Sequence, residues 1–268
     1  MEKLLITYKQ SKFACYKYGQ GKKWLFCFHG YGETGKTFAF LEPHLGTDYT
    51  LFALDLPFHG ETEWNEGLLF TSADLWSIIN QITESLHQPI SLIGYSMGGR
   101  ITFKLLADNI NRIDNVVLIA PDGLHGNAWH WFATQTLLGN QLFGFTMKHP
   151  NWFFTLLKLG NRFGLVNKSI FNFVHYYLDD AKQRMELFSR WTTMRKFKLN
   201  LHFLRKNIYN NKKKVVLFFG KHDQIILTSK GKKFQKELQN FIIINELEAG
   251  HQLLKEKYAD EISAAFGS

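Results

Sequence analysis

A serine, an aspartate and a histidine in this sequence have the residue types and the order of a nucleophilic hydrolytic site. Ser96 lies in residues 94–98 (GYSMG), which follow a short apolar run and precede a helical pattern. This G-x-S-x-G arrangement between a strand and a helix is typical of a sharp turn that exposes a serine hydroxyl. A serine hydroxyl is a poor nucleophile at neutral pH, so it needs a histidine base, and the base needs a carboxylate to orient it. We expect His251 and Asp223 to supply these groups.

The two partner residues follow strand-like runs, as Ser96 does. Residues 215–219 precede Asp223, and residues 241–244 precede His251. The carboxyl ends of parallel strands meet at one edge of a sheet, where the active sites of such sheets lie. The three side chains are therefore expected to converge. Asp122 also follows a strand-like run and remains the alternative acid.

Two backbone N–H groups are candidates for stabilising the oxyanion that forms during attack on a carbonyl group. One belongs to Met97, directly after the serine. The other belongs to Tyr31, which lies between Gly30 and Gly32 in the loop after residues 24–28. The flanking glycines allow this loop to turn its backbone inward, and two fixed donors are what a developing oxyanion requires.

The same loop also satisfies a phosphate-binding pattern. Residues 30–37 (GYGETGKT) match G-x-x-x-x-G-K-[ST], and Asp55 ends a later apolar run as a magnesium-binding aspartate would. Three features disfavour this P-loop NTPase hypothesis. Glu33 would put a carboxylate inside the phosphate cradle, the helix after Thr37 must end before Pro43, and the serine, aspartate and histidine would be left unexplained.

The elements around these residues alternate between strand-like and helical patterns. This alternation predicts an α/β fold with a mostly parallel sheet covered by helices on both faces. Two short aromatic-rich segments, residues 4–8 and 13–18, predict an N-terminal hairpin. Residues 122–211 contain no strand signal and are rich in aromatic residues from Trp129 to Tyr177. We expect residues 1–121 and 212–268 to form the core, and residues 122–211 to form an inserted helical cap with some aromatics walling a pocket.

The amino-acid composition limits which classes of protein this chain can belong to. The chain has 268 residues, 45% hydrophobic residues and a net charge of +9. The basic residues are dispersed, which favours a solvated basic face over a nucleic-acid site. Cys15 and Cys27 lie in predicted strands without metal-ligand spacing, which is typical of buried thiols in a reducing compartment. No signal peptide and no apolar run long enough to span a membrane is present, so we expect a cytoplasmic protein without stable membrane insertion.

Five segments in order resemble motifs of the α/β-hydrolase superfamily, and the resemblance covers nearly the whole chain. They are residues 28–32, 55–62, 94–98, 220–223 and 249–251, with Phe58 and Thr62 departing from the usual Gly and Ser. The resemblance implies an eight-stranded, mainly parallel sheet with a helical cap after the sixth strand. It also implies a two-step acyl mechanism without cofactor or metal.

The substrate is less well defined by the sequence. The aromatic insertion favours a small molecule with a hydrophobic acyl or aryl group, cleaved at a carboxylic ester or thioester as in small carboxylesterases. Gly30, Tyr95, Arg100 and Trp129 are the candidate substrate contacts. Residues 96–100 (SMGGR) are also similar to the elbow of the menaquinone-pathway synthase, a lyase in which the arginine serves a substrate carboxylate. A lyase of that type and a carbon–carbon hydrolase remain the alternatives, and the oligomeric state is undetermined.

Overall fold

The fold was analysed in a computed structural model, which describes residues 1–84, 88–126, 128–162 and 178–267. One sheet contains the eight strands of these ranges. They are β1 (Glu2–Tyr8), β2 (Ser11–Tyr18), β3 (Lys23–Phe28), β4 (Tyr49–Leu54), β5 (Ile90–Tyr95), β6 (Ile113–Ile119), β7 (Val215–Gly220) and β8 (Ile242–Leu247).

The sheet has the order β1-β2-β4-β3-β5-β6-β7-β8. The pairs β1–β2 and β2–β4 are antiparallel, and all later pairs are parallel. Every residue of β4, β5 and β7 is buried, as expected for strands covered on both faces. The predicted α/β class, the N-terminal hairpin and the eight-stranded, mainly parallel sheet are therefore confirmed.

Ten α-helices are present in the described ranges. They are α1 (Glu42–Leu45), α2 (Ser72–Ile82), α3 (Met97–Asp108), α4 (Ala128–Gln135), α5 (Leu137–Lys148), α6 (Asn151–Arg162), α7 (Ala181–Thr193), α8 (Leu201–Asn210), α9 (Thr228–Gln235) and α10 (Ala259–Ala264). None of the helices in these ranges has the length and apolar character needed to cross a bilayer.

The N-terminus of α2 shows how local sequence sets a helix boundary. Thr71, in an extended conformation, accepts a hydrogen bond from the backbone N–H of Asp74, and the Asp74 carboxylate accepts from the Thr71 N–H at 2.9 Å. This reciprocal pair satisfies two backbone donors that the first helical turn leaves open. The helix then buries Leu75, Ile78 and Ile79 on one face.

The chain divides into two compact units. The larger unit comprises residues 1–66, 71–125 and 196–268 and contains the sheet. The smaller unit comprises residues 67–70 and 126–195 and contains α4 to α7; we call it the helical unit. The predicted insertion at 122–211 was too long at both ends. In particular, α8 packs against α3 and buries Leu204 and Ile208, so it belongs to the larger unit.

The helical unit has a small aromatic core of its own. Phe143 on α5 contacts Phe188 and Trp191 on α7, with ring centroids 5.4 and 5.7 Å apart. Thr136 and Asp180 cap α5 and α7 by accepting from backbone N–H groups of their first turns. The aromatic residues that the sequence places between 163 and 177 lie outside the described residues.

Candidate active site

Ser96 lies at the sharp junction between β5 and α3. Its backbone has φ 49° and ψ −112°, a conformation that an L-residue adopts only when the surroundings impose it. Its N–H donates to the carbonyl of Ile119 at 3.0 Å, and its carbonyl accepts from the N–H of Asp122 at 2.9 Å. The strained residue is therefore held by β6 and the loop that follows it.

Glycines on both sides of Ser96 are required by close backbone packing. A Cβ at Gly94 would lie 2.5 Å from the carbonyl oxygen of Gly98. A Cβ at Gly98 would overlap the carbonyl group of Phe28 on β3 and lie 2.8 Å from the carbonyl oxygen of His29. Real Cβ atoms do not approach backbone so closely, so the turn can form only with glycine at both positions.

The structure brings Ser96, His251 and Asp223 together. The Nε2 atom of His251 is 3.1 Å from the Ser96 Oγ atom, and its Nδ1 atom is 2.8 Å from the Asp223 Oδ2 atom. The His251 side chain is 17% exposed, whereas that of Asp223 is fully buried. This is the contact pattern of a nucleophile, a base and an orienting acid.

The loops that carry Asp223 and His251 are hydrogen-bonded to each other. The N–H of His222 donates to the carbonyl of Ala249 at 2.9 Å, and that of Lys221 donates to the carbonyl of Leu247 at 2.9 Å. The second oxygen of Asp223, Oδ1, accepts from the N–H groups of Ile225 and Ile226 at 2.7 and 2.9 Å. The carboxylate therefore has three donors, which fix its orientation toward His251.

Asp122, the alternative acid, has different partners. It forms an ion pair with Arg100, and its Oδ1 atom accepts from the N–H of Gly123 at 2.6 Å. Asp223 is the aspartate hydrogen-bonded to His251. Arg100 lies one helical turn after Ser96, as expected, but its charge is compensated by Asp122.

The loop after β3 forms a tight turn beside the turn that carries Ser96. The Glu33 N–H donates to the Gly30 carbonyl at 3.3 Å, and Gly32 has φ 76°, as the third residue of a type II turn requires. Buried His29 fixes the start of this turn. Its Nε2 atom accepts from the Leu56 N–H at 3.0 Å, so its Nδ1 atom carries the proton and donates to the Gly30 carbonyl at 2.7 Å. Tyr31 occupies the second position of the turn, and its ring contacts that of His59 edge-on.

Glu33 is a titratable group beside this site that the sequence motifs did not predict to have a role there. Its Oε2 atom accepts from the Gly30 N–H at 3.2 Å. Burial raises the pKa of Glu33, while the Gly30 N–H and the nearby charge of His251 act in the opposite direction. The signal in the sequence was a carboxylate three residues after Gly30, but which way its side chain pointed could not be read from the spacing.

The four candidate substrate contacts differ in position. Tyr95 is 2% exposed and its hydroxyl donates to the His251 carbonyl at 3.1 Å, so it holds the backbone of His251 in place. Burial, followed by the charges of Glu33 and Asp223, raises the pKa of Tyr95. Gly30 packs against the Tyr95 ring. A Cβ atom added at Gly30 would lie 2.9 Å from a carbon of that ring. Trp129 belongs to the helical unit, where it is 56% exposed and contacts Phe132.

A cavity of about 210 Å³ lies in the larger unit, between the loop after β6 and the segment after Asp223. Asp122, whose N–H bonds to Ser96, and Gln224, which follows Asp223, both line it. Its remaining lining consists of Pro121, Gly123, Leu124, His125, Ile225, Ile226, Leu227 and Lys230. A larger cavity of about 440 Å³ lies between β7, β8 and α10. Neither cavity is lined by Ser96, His251 or Asp223 themselves, and the smaller one is the one lined by their neighbours.

The residues of the phosphate-binding pattern have other partners. The N–H of Gly35 donates to the buried carboxylate of Asp55 at 2.7 Å, and Lys36 pairs with Glu61 at 2.9 Å. The segment Gly35–Leu41 is a 3-10 helix instead of the α-helix that a P-loop precedes. Asp55 thus joins two loops of the larger unit. Among the residues that the structure describes, no three His, Cys, Asp or Glu side chains cluster as metal ligands would.

Comparison with known proteins identifies the family. The family model for the alpha/beta hydrolase fold matches residues 23–257. The uncharacterized hydrolase YugF of Bacillus subtilis is 24% identical over 247 residues, covering 88% of this chain and 86% of that protein. A pimeloyl-[acyl-carrier protein] methyl ester esterase of Aeromonas salmonicida is 29% identical over 129 residues, covering 47% of this chain and 49% of the esterase.

The fold is also found in solved structures. The crystal structure of a bromoperoxidase from Bacillus anthracis superposes with a TM-score of 0.67 at 18% identity, and each chain is covered over its full length (100%). The strand order and the strained turn at Ser96 agree with the family match, which covers most of the chain. This chain is a member of the α/β-hydrolase family, and its enzyme class is that of a hydrolase.

Proposed function

We propose that the protein is a serine hydrolase that cleaves a carboxylic ester or thioester carrying a hydrophobic group. The observation that carries the proposal is the continuous contact from the Ser96 hydroxyl through His251 to Asp223, at 3.1 and 2.8 Å. These distances are within the range needed for proton transfer between a nucleophile and its base.

The proposed reaction proceeds in two steps. His251 Nε2 removes the Ser96 hydroxyl proton as Oγ attacks the substrate carbonyl carbon, and the N–H groups of Met97 and Tyr31 are the proposed donors to the oxyanion. The bond to the alcohol or thiol then breaks, and that group leaves with the proton from His251. His251 then removes a proton from water, which attacks the acyl carbon. The acyl–oxygen bond to Ser96 breaks, the acid leaves, and His251 returns the proton to the Ser96 Oγ atom. Asp223 orients the imidazole throughout, and no cofactor is needed.

The cavity next to the elbow supports a hydrophobic substrate group. Its lining includes the aliphatic side chains of Leu124, Ile225, Ile226 and Leu227. A volume of about 210 Å³ fits a small acyl or aryl group better than a long chain. The esterase activity in the name of the Aeromonas salmonicida relative agrees with this bond type. We further propose that the helical unit acts as the cap.

The lyase alternative requires an arginine available to a substrate carboxylate. The ion pair between Arg100 and Asp122 satisfies the Arg100 charge within the protein, and this favours the ester hydrolase. Cleavage of a carbon–carbon bond would use the same three side chains.

Fluorophosphonate labelling tests the proposed function. Wild-type protein should acquire one adduct on the tryptic peptide that contains Ser96, and Ser96→Ala should acquire none. Ser229→Ala, which removes an exposed serine on α9, is the matched control and should label as wild type does.

With p-nitrophenyl esters, Ser96→Ala should lose about 10⁴–10⁶-fold in kcat. Labelling that persists in Ser96→Ala would exclude Ser96 as the nucleophile. Turnover of a dicarboxylate that Arg100→Ala abolishes, with negligible ester hydrolysis, would favour the lyase.

A further inference from the structure

The helical unit exposes large apolar side chains at high density. Of the 17 exposed large apolar side chains in the described ranges, nine lie between Trp129 and Leu159. Isolated exposed apolar residues are ordinary, whereas a concentration of them in one short stretch marks an interaction surface. The nine are Trp129, Trp131, Leu137, Leu138, Leu142, Phe145, Trp152, Leu156 and Leu159.

Helix α6 carries three of these residues on one stripe. Trp152, Leu156 and Leu159 are 37%, 56% and 50% exposed and are spaced so that they share a helix face. Leu157 on another face is buried. The polar face of the helix carries Lys158 and Arg162. A basic polar face beside Trp and Leu is typical of helices that lie in the interface of a membrane.

Helix α5 repeats the pattern. Leu138, Leu142 and Phe145 have the same spacing and are 70%, 38% and 54% exposed. The opposite side of the helix buries Phe143 and Met147 in the core of the helical unit. Helix α5 therefore has apolar side chains on its solvent-facing side as well as on its buried side. The packing of the helix against the protein does not require those on the solvent side.

The segment that contains α4, α5 and α6 has basic residues but no acidic ones. Residues 123–178 contain no Asp or Glu, although the whole chain contains 23. Lys148, Lys158 and Arg162 are all exposed in this stretch. Basic residues beside an apolar surface are attracted to anionic lipid headgroups, and the absence of carboxylates removes the opposing repulsion.

We propose that the exposed stripes of α5 and α6 dock the protein on an anionic lipid surface. The Trp, Leu and Phe side chains enter the boundary between headgroups and acyl chains, and Lys148, Lys158 and Arg162 contact the headgroups. This docking is reversible adsorption to one leaflet and needs no spanning helix. The inference goes beyond the proposed catalytic function and does not depend on it.

The basic residues beside the stripes also disfavour a second copy of this chain as the partner that covers them. A two-fold symmetric interface would bring the same surface of two copies together, with Lys158 and Arg162 of one copy near those of the other. Without a carboxylate in this segment, these like charges would face each other unneutralised. An anionic lipid surface satisfies both the apolar stripes and the basic residues.

Vesicle binding tests the proposal with the full-length protein. Vesicles of phosphatidylcholine alone are compared with vesicles of phosphatidylcholine mixed with phosphatidylglycerol, by co-sedimentation and by tryptophan emission. Binding to the mixed vesicles should be about 100-fold tighter, since each of three basic residues contributes roughly fivefold. The emission should shift to the blue as Trp152 enters the interface, and Trp152→Phe should reduce this shift.

Two variants separate the apolar and the basic contributions. Leu156→Ser with Leu159→Ser should weaken binding by at least about tenfold. Leu5→Ser, at a residue on β1 that is 57% exposed against 56% for Leu156, is the control for exposure and should bind as wild type does. Thermal unfolding should be unchanged in each variant, because these side chains face solvent.

Lys158→Gln with Arg162→Gln should weaken binding to mixed vesicles by about 30-fold and leave binding to phosphatidylcholine unchanged. Lys198→Gln with Lys206→Gln makes the same charge change on the larger unit and should have little effect. Three results would overturn the proposal: no binding to either vesicle, equal loss in the control variants, or a dimer in solution that the Leu156 and Leu159 substitutions dissociate.

Discussion

Replacing Asp223 by asparagine separates the orientation of His251 from the architecture around it. The two backbone N–H groups that bond to Oδ1, from Ile225 and Ile226, can still donate to an amide oxygen. The amide nitrogen must then face the His251 Nδ1 atom, where the carboxylate oxygen lay at 2.8 Å. A donor at that position favours the tautomer with the proton on Nε2. His251 would then present a donor to Ser96 in place of an acceptor and could not accept the serine proton.

The size of the loss follows from the charge that Asp223 supplies. An imidazolium about 4 Å from a carboxylate is stabilised by roughly 4 kcal/mol at an effective dielectric constant of about 20. At about 1.4 kcal/mol per factor of ten, this is close to a 10³-fold loss in kcat. The tautomer change adds about another factor of ten, so we expect a loss of about 10³–10⁴-fold. The free energy of unfolding should fall by only about 1–3 kcal/mol, because most of the hydrogen bonds are retained.

The assay is initial-rate hydrolysis of p-nitrophenyl esters across a pH series, with thermal unfolding measured on the same samples. Asp122→Asn is the matched control, since Asp122 also follows a strand but is 29% exposed and pairs with Arg100. It should lose less than about tenfold in kcat. The reasoning would be refuted if Asp223→Asn retained more than about a tenth of wild-type activity, or if the two variants lost activity equally.

Three further predictions concern groups around the site. Burial raises the pKa of Glu33 above its ordinary value of 4.5, so the folded state binds this proton more tightly than the unfolded chain does. The free energy of unfolding therefore falls as the pH rises from 4.5 through the raised pKa of Glu33. Glu33→Gln should therefore have a higher Tm than wild type above neutrality and lose that advantage below pH 4.5, whereas a pH-independent difference would contradict this reasoning. Gly98→Ala should abolish ester hydrolysis and cost about 3 kcal/mol or more in urea unfolding, because its Cβ would overlap the Phe28 carbonyl; near-wild-type stability would show that α3 can move. Burial raises the pKa of both Cys15 and Cys27, so Ellman's reagent should label neither in the native protein and both after unfolding, and rapid native labelling would contradict their burial.

The central residues of the site could be predicted because their constraints are local. The two glycines around Ser96 are required by sterics within a few residues, and the apolar runs before Asp223 and His251 fix the edge of the sheet where each lies. The choice between Asp223 and Asp122 required the structure. Both follow strands, and only the direction of each side chain separates them.

Sequence patterns predict least where one residue determines the role of another. Arg100 was a candidate for a substrate carboxylate and Asp122 a candidate acid, yet these two side chains pair with each other. Glu33 bonds to Gly30 through a turn whose side-chain direction no spacing rule gives. Helix α8 was placed in the insertion because periodicity shows that a helix has an apolar face but not which core that face joins.

The helix boundary at Thr71 is a smaller case in which one residue determines the role of another. Thr71 and Ser72 adjoin in the sequence, but Thr71 accepts the Asp74 N–H and Ser72 is the first helical residue. Either residue type can cap a helix. The carboxylate three residues after Thr71 decides between them, since it closes the reciprocal pair.

The backbone hydrogen bonds of residue 96 give a practical route to the natural substrate. Both involve main-chain atoms, from the N–H to Ile119 and from Asp122 to the carbonyl, so they persist when the side chain is removed. An alanine at this position should keep the turn between β5 and α3 in place and leave the 210 Å³ cavity unchanged. Such an inactive variant, immobilised and incubated with a cell extract, would retain uncleaved ligand that mass spectrometry could then identify.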